Sequence, residues 1–458
     1  MFKHFFRHRS ELRCRQLVAT AFLAVAPTMA LATTTSPIEI KAELERGVLQ
    51  AGERQTTHLR IVIGAARRPE SIRAPMNVAL VIDRSGSMSA YGRIDNAKRA
   101  AQLAVDRLGR DDILSVVSYD DRVDVEVPAT KVIDRTAIKE RIDRLTPRGS
   151  TAIHAGLLAG ANEIRKFKSR DRVNRIILLS DGLANVGPSK PSDFISLGRE
   201  LASEGITVST IGLGTSYNED LMAGLARSAD GSHVFVQESA DLANFLTREF
   251  DDALGIIGQQ VEIIITLQGG IQPKRTLGRD ADIRGNRIVH KVGTLIGGTE
   301  QVLLAEVDVP ARETLGQARI AMIEVAYTDA TTGERVTVST TADVRFDTDK
   351  QASDRSVNPE VVRDVATLLS REARQEAVKL RDAGRTTEAR QKFEQNASDL
   401  RALLSKVPAA AAYAPLQEEV KASEQAASAE AQSRDGWEKS RKEQRQYDSN
   451  RAGATHRF

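Results

Sequence analysis

A run of apolar residues, Asn77-Val78-Ala79-Leu80-Val81-Ile82, stops at a carboxylate, Asp83, and hydroxyls follow at alternate positions, Ser85 and Ser87. Gly86 between them permits a tight turn, so three side-chain oxygens can face one point. Hard oxygen donors suit Mg²⁺, with Mn²⁺ or Ca²⁺ as alternatives, rather than zinc. Two more donors lie downstream. Arg148-Gly149-Ser150-Thr151-Ala152 precedes a helical pattern, which puts the Thr151 hydroxyl in a loop at a helix start. Arg175-Ile176-Ile177-Leu178-Leu179-Ser180-Asp181-Gly182 is a second apolar run that ends on a carboxylate. Two carboxylates with neutral hydroxyls would not over-neutralise a divalent cation, which could still attract an outside anion. The plainer alternative is that Asp83 and Asp181 only cap strands and turns.

Asp83, Ser85, Ser87, Thr151 and Asp181 match one for one the metal-ion-dependent adhesion site (MIDAS) of the von Willebrand factor type A (VWA) domain, which the chain resembles over about residues 75 to 255. The resemblance implies that these five residues hold the cation, with Asp181 acting through water. It also implies that a partner protein supplies an acidic side chain to the metal, and that the chain is not an enzyme. Arg84 fills a position that is not a ligand in that family. A metal-dependent phosphatase of the haloacid dehalogenase type also places an Asp at a strand end, but needs a second Asp two residues on. That position is Ser85, which cannot shuttle protons near neutral pH. No Ser/His/Asp or Cys/His nucleophile arrangement and no zinc cluster is visible. A third reading is an accessory subunit of an envelope membrane complex in which the metal is structural only.

Placing five such side chains together requires a scaffold of strands buried on both faces, and the sequence reads that way. Ile113–Tyr119, Val123–Val127, Ile206–Gly214 and Val234–Gln237 read as further strands. Ile94, Ala97, Ala101, Ala104 and Leu108 mark one helix face; Ile138, Ile142 and Leu145 mark another. Ile153–Phe167, Leu221–Ala229 and Leu242–Leu254 are helical. This alternation predicts a doubly wound, mostly parallel sheet, whose ligands sit beyond the carboxyl ends of the strands. Gly212-Leu213-Gly214-Thr215-Ser216 lacks the Lys and spacing of a phosphate loop and reads as a strand-to-helix turn. His154 is expected to face a neighbouring loop, and Asp120-Asp121 to form a solvated turn.

Flanking stretches alternate apolar and polar residues instead. Ile38–Glu45 and Thr57–Gly64 form one strand pair. Val261–Leu267, Ile288–Val292, Gln301–Val309, Ala318–Tyr327 and Val336–Phe346 follow, with turns at Gly269-Gly270 and Thr332-Gly333. Two strands alone are marginal in water, so the first pair should join the later strands. The fold expected is an α/β VWA domain (75–257) inserted into an antiparallel β-sandwich (33–74 and 258–347), followed by a helical C-terminal region. This layout resembles secreted bacterial VWA proteins and the extracellular parts of inter-alpha-inhibitor heavy chains and calcium-activated chloride channel regulators.

A polar linker (348–357) leads to a helical hairpin (358–406): Pro359–Ala383, a break at Gly384, then Thr386–Lys406. Ala377, Leu380, Ala383, Gly384, Ala389 and Phe393 are similar to one tetratricopeptide-type hairpin, and packing on the sandwich is the simpler reading of it. Residues 407–458 comprise an Ala/Pro linker, a Glu/Ala-rich helix (Leu416–Gln432) and a polar tail expected to be disordered.

The amino end carries a different signal. Lys3, Arg7, Arg9, Arg13 and Arg15 precede an apolar stretch, Leu17–Leu31, and Ala30-Leu31-Ala32 supplies a small-x-small cleavage site. The expectation is a signal peptide over residues 1–32, a mature start at Thr33, and a periplasmic, cell-surface or secreted protein; an uncleaved anchor is the alternative. The single cysteine, Cys14, lies in the leader, so the mature chain could form no disulfide. The formal charge of +3 falls to near −1 without the leader, which argues against nucleic acid as a partner. No later stretch is apolar enough to span a bilayer.

Overall fold

A computed structural model describes residues 36–69, 72–278, 281–404, 417–421, 423–424 and 456–457. The expected leader (1–32), nearly all of the expected polar tail and most of the expected Glu/Ala-rich helix fall outside these residues. Among the described residues no helix is long and apolar enough to cross a membrane.

The chain begins with β1 (Ile38–Leu44), β2 (Val48–Gln50) and β3 (Gln55–Ala65), and then enters an α/β unit. That unit runs β4 (Met76–Asp83), α1 (Arg93–Arg107), β5 (Ile113–Tyr119), β6 (Val123–Lys131), α2 (Arg135–Asp143), α3 (Ile153–Arg165) and β7 (Val173–Ser180). It continues through α4 (Pro191–Ser203), β8 (Thr207–Leu213), α5 (Glu219–Ser228), β9 (His233–Val236) and α6 (Leu242–Leu254). Sheet order is β6-β5-β4-β7-β8-β9, parallel except for β6, which runs antiparallel to β5. β4 and β7 are buried along their whole length. One side of the sheet is covered by α1, α2 and α6, the other by α3, α4 and α5. This is the doubly wound arrangement the alternation predicts. Helix α4 was not expected, although Pro191 at its start and buried Phe194, Leu197 and Leu201 give it an ordinary start signal and apolar stripe.

After α6 the chain returns to antiparallel strands: β10 (Ile256–Leu267), β11 (Gln272–Leu277), β12 (Asp282–Arg284), β13 (Arg287–Ile296), β14 (Thr299–Val309), β15 (Gly316–Asp329) and β16 (Arg335–Asp347). One sheet has the order β1-β3-β14-β11 and the other β12-β13-β10-β15-β16-β2. β3 pairs along its full length with β14, in register from Gln55 opposite Val309 to Ala65 opposite Thr299. The two sheets share one core, in which Leu59, Ile61 and Ile63 of β3 meet Ile263, Ile265, Ile323 and Val325. The short strands β2, β11 and β12 carry too few alternating positions to be recognised from sequence.

The expected polar linker contains a short helix, α7 (Lys350–Arg355), started by the Asp349 side chain on the Gln351 N–H. Then come α8 (Pro359–Asp382) and α9 (Thr386–Leu404). Val361, Val365 and Leu368 of α8 pack on Leu277 and Leu304, the outer face of the first sheet. Buried Arg60 joins the two layers, donating to Asp364 at 2.7 Å and to Glu43 at 2.7 Å.

Candidate metal centre

Asp83 ends β4, and its side chain is fully buried. Its Oδ1 accepts the Ser85 N–H at 2.8 Å and its Oδ2 the Ser180 hydroxyl at 2.7 Å. Burial pushes its carboxyl up to about 6, against the pull of the hydrogen bonds from Ser85 and Ser180. Among the described residues no basic side chain forms an ion pair with it. The chain then turns through a short 3₁₀ segment, Gly86–Gly92, which brings Ser85 Oγ and Ser87 Oγ to 3.1 Å of one another.

Asp181 follows β7 directly, and it too is fully buried. Ser87 Oγ donates to Asp181 Oδ1 at 2.7 Å. Thr151, just before α3, is held by Asn185: the Asn185 side chain accepts the Thr151 N–H at 2.7 Å, and the Asn185 N–H donates to the Thr151 carbonyl at 3.2 Å. A Cβ on Gly182 would lie 3.6 Å from both Ser87 Oγ and Thr151 Oγ1. The three segments therefore meet around one point at the carboxyl ends of β4 and β7, beside the strand where the sheet order reverses, as expected for such folds. Mg²⁺ holds its oxygens at 2.0–2.1 Å in an octahedron, so neighbouring ligands stand about 3 Å apart. The Ser85–Ser87 oxygen spacing of 3.1 Å fits that demand, and the donor set is all oxygen. Asp83, Ser85, Ser87, Thr151 and Asp181 are thus the residues that could hold a hard divalent cation.

Arg84 organises the loops around this point. It is buried, and its guanidinium pairs with Asp120 at 2.8 Å, with Glu126 at 3.1 Å and with Asp124. Arg148, from the loop that carries Thr151, donates to the same Asp120 carboxylate at 2.7 Å. Backbone bonds repeat the ties: Arg148 N–H to the Arg84 carbonyl at 2.8 Å, Gly86 N–H to the Gly149 carbonyl at 3.1 Å and Ala152 N–H to the Asp120 carbonyl at 2.7 Å. Asp120 is therefore no solvated turn residue; it is buried between two guanidiniums. Burial opposes its charge, yet the Arg148 hydrogen bond, the Arg122 N–H and the Arg84 charge hold its carboxyl at about 2.

His154 meets Phe194 of helix α4 edge-on at 5.6 Å, so its ring contact is a helix and not the neighbouring loop expected. The Gly212–Ser216 stretch is a strand-to-helix turn, leading to α5 with Asn218 as its cap. Residues that sequence reasoning missed include Ser180, Asn185 and Arg93. Ser180 stood beside Asp181 in the motif; Asn185 and Arg93 gave no local signal.

Residues 77–249 match the von Willebrand factor type A domain model. An uncharacterised protein of Synechocystis is 29% identical over 60% of this chain and 67% of its own length. Human inter-alpha-trypsin inhibitor heavy chain H3 is 27% identical over 36% of this chain, which spans only 20% of that protein. Among solved structures, a von Willebrand factor type A protein from Catenulispora acidiphila superposes with a TM-score of 0.62 over 80% of this chain and 90% of that one, at 16% identity. The chain carries a VWA domain, within a fold that extends over the flanking sandwich.

Proposed function

We propose that this chain is an exported, non-enzymatic binding protein whose VWA domain engages a partner protein through a divalent cation. Asp83, Ser85, Ser87 and Thr151 would hold the ion, Mg²⁺ or else Mn²⁺ or Ca²⁺, with Asp181 in contact through water. The ion would supply an electrophilic point for a carboxylate of the partner. One observation carries the reading: five oxygen-bearing side chains from three separate segments converge, and one of them, Asp83, is a fully buried carboxylate with no basic partner among the described residues. A buried charge of that kind is costly unless a counter-charge meets it. A relative named as an inhibitor heavy chain favours binding over catalysis, and Ser85 stands where a phosphatase would need its acid.

The test is calorimetric titration of the purified chain with Mn²⁺ and Mg²⁺. Wild type is expected to bind one ion. Asp83→Ala should lose more than the roughly 10–100-fold typical of changes outside the ligand sphere, while keeping its circular dichroism spectrum. Equal binding by Asp83→Ala and wild type would refute the site. Partner capture from envelope extract should in turn fail in chelator and recover with Mg²⁺.

A further inference from the structure

Arg93 lies at the edge of the oxygen cluster, and nothing in the ligand motif accounts for it. It is the first residue of α1, and its Nη1 donates to Asp181 Oδ2 at 2.6 Å. The other oxygen of that carboxylate accepts from Ser87, so one side chain of the cluster is shared between the ligand loop and a guanidinium. Arg93 is 15% exposed at its side chain and Asp181 is fully buried, which limits screening by water.

The surroundings hold the guanidinium in this position. Gly214, at the end of β8, has φ +66°, and a Cβ there would lie 2.9 Å from Arg93 Nη2. On another side the guanidinium carbon is 5.4 Å from the Tyr91 ring centre, within cation–π range. Tyr91 and Gly92 are both left-handed, with φ 53° and 63°, and Tyr91 as a residue is 86% exposed. A left-handed aromatic residue is strained, and exposure means that burial of the ring does not offset the strain. The turn is tied by Ser239 Oγ, which donates to the Tyr91 carbonyl at 3.2 Å and accepts from Asn96 at 2.7 Å. A positive residue in the first turn of a helix is also disfavoured by the helix dipole. The arrangement thus accepts local costs to set a cation against Asp181.

We propose that Arg93 is a tethered competitor for the divalent cation, setting the cation affinity of the site through Asp181 and coupling occupancy to the Tyr91–Gly92 turn. The inference rests on the proposed metal site and deepens it. Guanidinium and cation seek the same carboxylate, and their like charges repel across it. Even at the dielectric constant of water, which gives the lower bound for so shielded a site, a divalent and a monovalent charge about 5 Å apart repel enough to weaken cation binding by on the order of tenfold. Arg93 also lies against Tyr91, so drawing Asp181 towards a cation loosens the contact that holds the turn beside the site.

Calorimetric titration of the full chain with Mn²⁺ tests this. Arg93→Gln should bind Mn²⁺ at least about tenfold more tightly than wild type, whereas Arg93→Lys, which keeps the charge, should stay within about threefold of wild type. In wild type, Mn²⁺ should speed amide hydrogen exchange over residues 89–94, a readout that needs no variant to fold. If wild type binds Mn²⁺ but Arg93→Gln binds no more tightly, or if exchange at 89–94 is unaltered by Mn²⁺, the role of Arg93 is refuted while the metal site stands. If neither wild type nor Arg93→Gln binds Mn²⁺, the metal site falls and this inference with it.

Discussion

The parallel sheet of the VWA domain and the sandwich around it bury similar aliphatic side chains but dispose of polar groups in opposite ways. β4 and β7 are covered on both faces, so every position from Met76 to Ile82 is buried and chemistry can appear only where the strands end, at Asp83 and Asp181. β10 alternates buried and part-exposed residues over much of its length, and its polar side chains lie along a face. The difference shows in two buried arginines. Arg84, at the strand ends, ties together the loops of the oxygen cluster. Arg60, on the sandwich, joins a sheet face to helix α8. Both answer the same physical demand, since a buried charge must be paired, but only the first stands next to the cluster.

The sharpest way to break that contrast is to truncate each arginine. Arg84→Ala and Arg60→Ala should each cost about 1.5–3 kcal/mol of stability in denaturant titrations, because each takes one charged hydrogen-bond partner from a buried carboxylate, Asp120 keeping Arg148 and Asp364 keeping Arg363. Only Arg84→Ala should also weaken Mn²⁺ binding, by roughly 10–100-fold, as expected for a residue that orients ligands without being one. Comparable weakening in Arg60→Ala would show that the two regions are not separable. An apolar change in the sandwich core acts on stability alone: Ile263→Ala should cost about 2–5 kcal/mol and leave Mn²⁺ affinity unaltered.

The smallest effect is the dependence on acid. The Asp120 carboxyl is held at about 2, against an ordinary value of 3.8. Asp329 is also held at about 2: burial opposes its charge, but hydrogen bonds from Arg68 and the Thr331 N–H overcome it. A carboxyl depressed in the folded state contributes stability that is present above the unfolded value and is lost as pH falls through the folded one. Thermal midpoints should therefore drop between about pH 4 and pH 2. Asp120→Asn and Asp329→Asn should each flatten that drop. An unchanged slope in Asp120→Asn would mean that the Arg84–Asp120–Arg148 arrangement contributes nothing in acid.

Legibility followed locality. The α/β alternation and the long sandwich strands could be read because each apolar pattern lies within a few residues of itself. Asp83, Ser85 and Ser87 could be read for the same reason, and Thr151 and Asp181 because each stands at the boundary of a patterned element. From sequence Asp120 reads as part of a solvated turn, since its burial depends on Arg84 and Arg148, 36 and 28 residues away. Arg93 carries no local signal because its partner is 88 residues off, and Asn185 none because its bond to Thr151 spans 34.

What this chain determines by itself is therefore a set of elements and the residues at their ends: period-two and period-3.6 burial, turn glycines, and oxygen donors where apolar runs stop. Those follow from local chain geometry, which acts within one strand or one helical turn. Which ends meet was decided by the tertiary structure alone. Parallel strands must be joined by crossovers, so β4 and β7, adjacent in the sheet, are separated by β5, β6 and the three helices α1, α2 and α3 in the chain. The contacts between their loops, including the placing of Arg93 on Asp181, exist only once that sheet has formed.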